Sequence, residues 1–248
     1  MTHLARARAA ASPPPTAARI AALDWPAIVA TLDADGATLL PGVLSAAHSE
    51  ALAADYANET MFRSRIVMVR HGFGRGEYKY FTAPLPEMVC ALRSALYPPL
   101  AAIATRWSAA LGETRCFPPR HADFLALCHQ AGQTRPTPLL LKYEASDHIC
   151  LHQDLYGEHV FPLQVAFLLS APGRDFAGGE FLLVESRPRA QSRALAVPLD
   201  QGDGVLFAVH HRPVPGARGY SRATVRHGVN RVRSGRRHVL GVIFHDAR

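Results

Sequence analysis

The reading of this chain turns on Leu151-His152-Gln153-Asp154-Leu155, set inside KYEASDHICLHQDLYGEHVFPLQVAFLLS, residues 142–170. The run after it, Phe161 to Ser170, is apolar and reads as a buried strand, and the run before it, Pro138 to Tyr143, reads the same way. Two strands therefore bracket a His-x-Asp. Side chains two apart on an extended chain share a face, so His152 and Asp154 can offer an imidazole nitrogen and a carboxylate oxygen to one ion. Two ligands are not a site, and a third has to come from further along the chain.

Downstream, short apolar runs alternate with Gly, Pro and charged turns: 138–143, 148–152, 161–170, 179–184, 194–198, 204–209, 223–229 and 237–244. Eight short strands after a helical first half predict an α+β chain. Its core would be a jelly-roll or cupin-like double sheet, with the N-terminal helices packed outside. In the first half, residues 19–35 carry helical spacing through Ile20, Leu23, Ile28, Val29 and Leu32. Asp35-Gly36 makes a turn, 37–40 a short strand, and Ser45 an N-cap for the helix that follows. MFRSRIVMVRHGFGRGEYKYF reads as a hairpin with a glycine-rich tip. Residues 85–111 read as helix, broken at Pro98-Pro99, and 121–131 as a further short helix. No internal repeat is visible. The expected organisation is a flexible tail over residues 1–18 and one domain over 19–248.

With 248 residues, 48% of them hydrophobic, the chain can bury a sizeable core. Cys90, Cys116, Cys128 and Cys150 form no C-x-x-C and read as thiols of a reducing cytoplasm rather than a disulfide frame. No apolar run in the sequence reaches membrane-span length. The formal charge is +7, and the basic residues are nearly all arginine, Lys79 and Lys142 being the only lysines. No acidic residue occurs from Val205 to His245, a stretch that holds Arg212, Arg218, Arg222, Arg226, Arg231, Arg233, Arg236 and Arg237. Such a field attracts a dicarboxylate, a phosphate or a nucleic-acid backbone, and a solvated basic face gives the same composition.

The third ligand must lie on a strand able to face His152. His227, closing ATVRH before Gly228, is the first candidate, with His210 and His211 as competitors; His238 and His245 read as core histidines. Two histidines and one carboxylate would make the three-point face, open on its other side, that suits non-haem Fe(II). If 223–229 and 237–243 pair as an antiparallel hairpin, Arg237 lies opposite His227 on one face. A guanidinium there binds a carboxylate through two parallel hydrogen bonds.

Four pieces in order resemble the Fe(II)/2-oxoglutarate-dependent dioxygenases, in their prolyl-hydroxylase-like branch. These are KYEASDHICLHQD, DFAGGEFLL, VPLDQGDGVLF and RHGVNRVRSGRRHVLGVIF, and the early LDADGATLLPGVLS is similar to the segment preceding the core in such enzymes. Over the whole chain, HGFGRGEYKYF, RPTPLLLKY, LHQDLYGEHVFPLQVAFLLS and VHHRPV resemble a bacterial oxygenase family described as acting on damaged nucleic acid by oxidative demethylation. The resemblance implies a double-stranded β-helix with Fe(II) held by His152, Asp154 and His227. It implies 2-oxoglutarate held by Arg237 and Tyr143, with dioxygen as the oxidant and an alkylated nucleic acid as the substrate. The segment from His210 to Arg222 departs from simpler hydroxylases in being long and arginine-rich.

Two enzyme readings compete. A nucleic-acid demethylase must take single strands or extrude its base. For it, Arg70, Arg75, Tyr78 and Tyr80 of the hairpin and His211 are the candidate substrate contacts. A hydroxylase of a peptidyl (prolyl-type) or small-molecule substrate would use the same hairpin as a lid. A cupin-like binding protein or a zinc hydrolase shares the ligand count, but neither has a use for Arg237 as a dicarboxylate anchor beside its metal.

Overall fold

The computed structural model describes residues 16–217 and 219–248. Five α-helices are present among the described residues: α1 (Thr16–Ala21), α2 (Trp25–Asp35), α3 (Ala46–Ala54), α4 (Glu87–Ala110) and α5 (His121–Gln130). The strands divide between two antiparallel sheets. The larger runs β1 (Ala37–Leu40), β11 (Gly204–Ala208), β7 (Leu163–Leu168), β14 (Val232–Val242), β5 (Leu139–Glu144), β4 (Glu77–Phe81), β2 (Phe62–Val67), with β8 (Phe176–Gly178) beside β14. The smaller runs β10 (Arg193–Val197), β9 (Phe181–Ser186), β13 (Gly219–Val229), β6 (His148–His152), β3 (Gly74–Arg75), with β12 (His211–Gly216) paired to β13.

Period-two alternation explains how the large sheet serves two purposes. Val165, Phe167, Leu240 and Val242 pack in one buried cluster with Leu92, Leu96, Leu100, Ile103 and Trp107 of α4. Their strand neighbours Gln164, Ala166, Val239 and Gly241 line a cavity shared with residues of the small sheet. The helices cover one face of the large sheet, and the small sheet faces the other.

Most strand boundaries fall within a few residues of those read from the sequence. The departures have physical causes. One helix over 19–35 was expected, but Asp24 caps a new helix by accepting from the Ala27 N–H, with Pro26 in its first turn. Thr16 to Ala18, placed in the tail, begin α1, and residues 1–15 of that tail lie outside the described residues. α4 runs through Pro98 and Pro99 without the expected break. Two interior prolines cost roughly 3 kcal/mol each. The burial of Leu92, Leu96, Tyr97, Leu100, Ile103 and Trp107 outweighs this, at about 1.5–3 kcal/mol per side chain. α4 is also long and apolar enough to cross a membrane by length and composition, contrary to the expectation that no run reaches that length. Its buried side belongs to the protein core.

Three strands of the first half, β1, β2 and β4, join the large sheet, so the sheet core does not begin at residue 138. The hairpin over 62–82 forms as β2 and β4, and β4 pairs with β5. Its tip reaches across to the small sheet, where Gly74 and Arg75 pair with Ile149 and His148. β8 and β12 were missed, β12 because HRPVPG carries two prolines, which its edge position tolerates. The expected hairpin of 223–229 with 237–243 does not form. β13 pairs with β6, β9 and β12, whereas β14 pairs with β5, β7 and β8, so the chain changes sheets between them.

Arg212, read from sequence as part of a basic field, is fully buried and structural. Its Nη1 and Nη2 donate to the Asp33 and Ala34 carbonyls at 2.7 and 2.9 Å, and its Nε donates to Glu185. It thus caps the last turn of α2 and ties that helix to β9. Arg212→Met should lower stability by about 3 kcal/mol in urea unfolding, because it uncaps α2 and removes a buried charge partner. That is the low end for a broken buried pair, since Arg187 still bonds Glu185. A change under about 0.5 kcal/mol would remove this role.

Candidate active site

His152 closes β6, and His227 lies directly opposite it on β13. The pairing slips between His227 and Val229, and Gly228 sits at the slip. A Cβ on Gly228 would meet the Ile149 carbonyl oxygen at 2.8 Å, so a glycine is what lets β13 close on β6 here. The two imidazole centroids are 4.2 Å apart. Asp154 follows on the loop, its oxygens 3.6 Å from His152 Nε2 and 3.4 Å from His227 Nε2. One donor atom from each of the three lies within 4.8 Å of the others, and this is the only such group of three among the described residues. Gln153, between His152 and Asp154, donates to the Val225 carbonyl at 2.7 Å and so pins the loop to β13.

The hydrogen bonding around the three side chains is that of a ligand set. The Nδ1–H of His152 is placed to donate to the Cys150 carbonyl at 2.8 Å, which leaves the Nε2 lone pair facing the cluster. Burial, and then the neighbouring His152, lowers the His227 pKa. Burial alone would raise the Asp154 carboxyl; His227, His152 and the Tyr156 hydroxyl outweigh it and hold the carboxyl well below its usual range. Two imidazole nitrogens and one carboxylate can coordinate a divalent ion and leave its remaining positions open.

The three side chains lie on the wall of a cavity of about 330 Å³ between the sheets. Arg237, on β14, reaches the same cavity from the opposite sheet. It is 2% exposed, its Nε and Nη1 have no hydrogen-bond partner, and none of the ion pairs among the described residues involves it. Burial pulls its pKa down to about 10, so it stays charged at neutral pH. Tyr143 sits opposite it on β5, fully buried, its hydroxyl also without a partner. A buried cation with idle donors is costly unless an anion completes it. The idle guanidinium and phenol fit the far carboxylate of 2-oxoglutarate, and the His-Asp-His set fits Fe(II). Gly179 makes the room, since a Cβ there would lie 2.9 Å from Arg237 Cδ. Arg236, the next residue, faces out and pairs with Glu144 at 3.2 Å.

The remaining candidates scatter. Tyr78 and Tyr80 line the cavity as buried walls, rather than standing free at its mouth. Arg70 and Arg75 are exposed on the hairpin tip, Arg75 next to Asp147 at 3.3 Å. His211 is not in this cavity. It stacks on His210, centroids 3.5 Å apart, beside a separate hollow lined by Trp107, Leu155 and Val160. Neither histidine approaches the ligand position. His245 is a core residue whose Nδ1 accepts from the Phe161 N–H at 3.2 Å. The basic field also shrinks: Arg222, Arg233 and Arg236 pair with Glu113, Glu180 and Glu144, acids from elsewhere in the chain. Sequence reasoning missed Phe73, 46% exposed at the cavity mouth, and Tyr156, whose hydroxyl donates to Asp154 at 2.8 Å. The alternation that linked Asp154 to His152 also reaches Tyr156, and that was the available signal.

Residues 76–247 match the model of a family described as an oxygenase catalysing oxidative methylation of damaged DNA. Two similar proteins, MT2286 and Rv2227, both called uncharacterized, come from two strains of Mycobacterium tuberculosis. Each is 54% identical over 167 residues, 67% of this chain and 72% of the relative. Among solved structures, a Pseudomonas putida prolyl-4-hydroxylase superposes with a TM-score of 0.52 at 14% identity, covering 90% of this chain and 99% of that one. A 2OG-Fe(II) oxygenase family oxidoreductase from Burkholderia pseudomallei gives 0.51 at 14% identity, covering 91% and 93%. At such identities these likenesses speak to fold, which is the double-stranded β-helix. Arg237→Lys keeps the charge but loses the fork. It should raise the KM for 2-oxoglutarate about 10- to 100-fold, the worth of one charge-assisted hydrogen bond. An unchanged KM would take Arg237 out of the site.

Proposed function

The chain belongs to the family of oxygenases described as acting on damaged DNA, and on that premise we propose that it demethylates alkylated bases in single-stranded or locally opened nucleic acid. Fe(II), 2-oxoglutarate and dioxygen together supply an oxidant that puts oxygen into a C–H bond, releasing succinate and carbon dioxide. On an N-methyl group the product is a hemiaminal, which loses formaldehyde and leaves the bare nitrogen. Removal is the direction this chemistry allows, because adding a methyl group needs a methyl donor and not an oxidant.

The observation that carries the reading is the pairing, in one cavity, of the His152–Asp154–His227 set with the idle guanidinium of Arg237. His152, Asp154 and His227 would hold the metal, while Arg237 and Tyr143 would orient the co-substrate from the opposite sheet. Most of the remaining wall is apolar or aromatic, with Tyr78, Tyr80, Leu139 and Ile149 shielding the reacting carbon from water, and Gln153 and Gln164 are its polar members. At the mouth, Phe73 stacks with His71 at 5.3 Å on a tip that also carries Arg70 and Arg75. A half-exposed ring beside two arginines suits a base laid on the ring and its phosphates on the cations. Residues 19–248 act in this reading as one catalytic unit. A reducing cytoplasm suits its four free cysteines, three of them exposed.

One observation favours the second reading, a hydroxylase of a peptidyl or small-molecule substrate. Most arginines described in 205–245 are paired or buried, so that stretch offers less free positive charge to a nucleic-acid backbone than the sequence suggests. Turnover decides between the two. Methylated single-stranded oligonucleotide should raise succinate release, with one formaldehyde per succinate above background. Phe73→Ala should lower kcat/KM for that substrate about 5- to 100-fold, the worth of one base–aromatic stack. Binding that steepens at low salt without coupled turnover would be non-specific phosphate contact, and the repair reading would fail.

A further inference from the structure

We infer that Tyr156 is the positioning residue that fixes Asp154 as a one-oxygen metal ligand, and that Tyr80 holds Tyr156 in place. The inference rests on the metal reading of the site. A carboxylate offers two oxygens and about four lone-pair directions, so nothing in Asp154 itself decides how it meets an ion. The structure decides it from behind. Tyr156 donates to Oδ1 at 2.8 Å, and Tyr80 donates to the Tyr156 hydroxyl at 3.1 Å. Both oxygens lie near the rings, Oδ1 at 3.6 Å from His152 Nε2 and Oδ2 at 3.4 Å from His227 Nε2, but Oδ1 already accepts from Tyr156, so Oδ2 is the oxygen with its lone pairs left to the ion.

Both phenols are anchored independently of the metal. The Tyr156 carbonyl accepts from buried Gln133 Nε2 at 3.0 Å, and the same amide bonds the carbonyls of His159 and Asp246. The Tyr80 ring sits edge-on to Tyr78 in the sheet and carries the Arg63 guanidinium 4.6 Å above it. The chain Tyr80–Tyr156–Asp154 thus starts on β4, in the large sheet, and ends on a ligand carried by the loop after β6, in the small sheet. Hydrogen-bond partners of this kind orient ligands, and their loss typically costs about 10- to 100-fold in metal affinity.

The test is Co(II) binding to the full chain, followed by dialysis and by the ligand-field absorption of the bound ion. Tyr156→Phe keeps the ring and the backbone bond to Gln133, so the metal-free variant should unfold within a few degrees of the parent. Its Co(II) Kd should weaken about 10- to 100-fold. Its spectrum should change in intensity, because a carboxylate freed at Oδ1 can chelate through both oxygens. Tyr80→Phe should weaken Co(II) binding measurably but less, because Tyr156 keeps its own proton; this variant also carries the test if Tyr156→Phe fails to fold. An unchanged Kd and spectrum in Tyr156→Phe would overturn the inference, as would a larger loss in Tyr80→Phe. A parent protein that binds no Co(II) would overturn the metal reading, and the inference with it.

Discussion

The site depends on the pairing of His227 with His152 across β13 and β6. Register in a sheet is all or nothing for a face: a slip of one residue would turn His227 away from the cavity and bring Arg226 in. Gly228 lets the strands close at that point, and Gln153 ties the following loop to β13, so Asp154 arrives beside the two rings. The large sheet supplies what the small one lacks. β14 brings Arg237 and β5 brings Tyr143 to the far wall of the same cavity. The proposed metal ligands and co-substrate anchor thus come from different sheets, and the packing of the sheets against each other sets the distance between them.

Arg237 is the feature least compatible with a purely structural reading. The other buried arginines among the described residues each meet a carboxylate: Arg212 bonds Glu185 and two helix carbonyls, and Arg93 bonds Asp246 at 2.9 Å, although its Nε has no partner. Arg237 is as deeply buried, and it keeps two nitrogens without partners. A protein tolerates such a charge where a ligand completes it. The neighbouring phenol of Tyr143, also idle, and the space left by Gly179 describe the same ligand: a carboxylate with room around it.

Much of this was legible in the sequence, and the reasons are local. His152, Asp154, His227 and Arg237 lie on or beside strands whose alternation fixes which side chains share a face, and the strands were marked by apolar runs between turns. Long-range information was not legible. The hairpin placed between β13 and β14 fails because the connection changes sheets, which a sequence of two adjacent strands does not reveal. The break at Pro98-Pro99 fails because packing along α4 outweighs a local rule. The basic field of 205–245 fails as a surface because Glu113, Glu144 and Glu180 come from elsewhere to meet its arginines. Tyr78 and Tyr80 were read as candidate substrate contacts on a hairpin; β4 is an interior strand of the large sheet, and both rings line the cavity from its wall.

The central claim is that the His-Asp-His set and Arg237 form two ends of one co-substrate site. Calorimetric titration of the Mn(II)-loaded protein with 2-oxoglutarate, and with a 2-oxo acid of equal length lacking the far carboxylate, tests it most directly. The account predicts that 2-oxoglutarate binds only with metal present, and that the truncated acid binds about 10- to 100-fold more weakly, the loss expected for one charge-assisted hydrogen bond. Equal binding of the two acids, or binding of 2-oxoglutarate that ignores the metal, would contradict it.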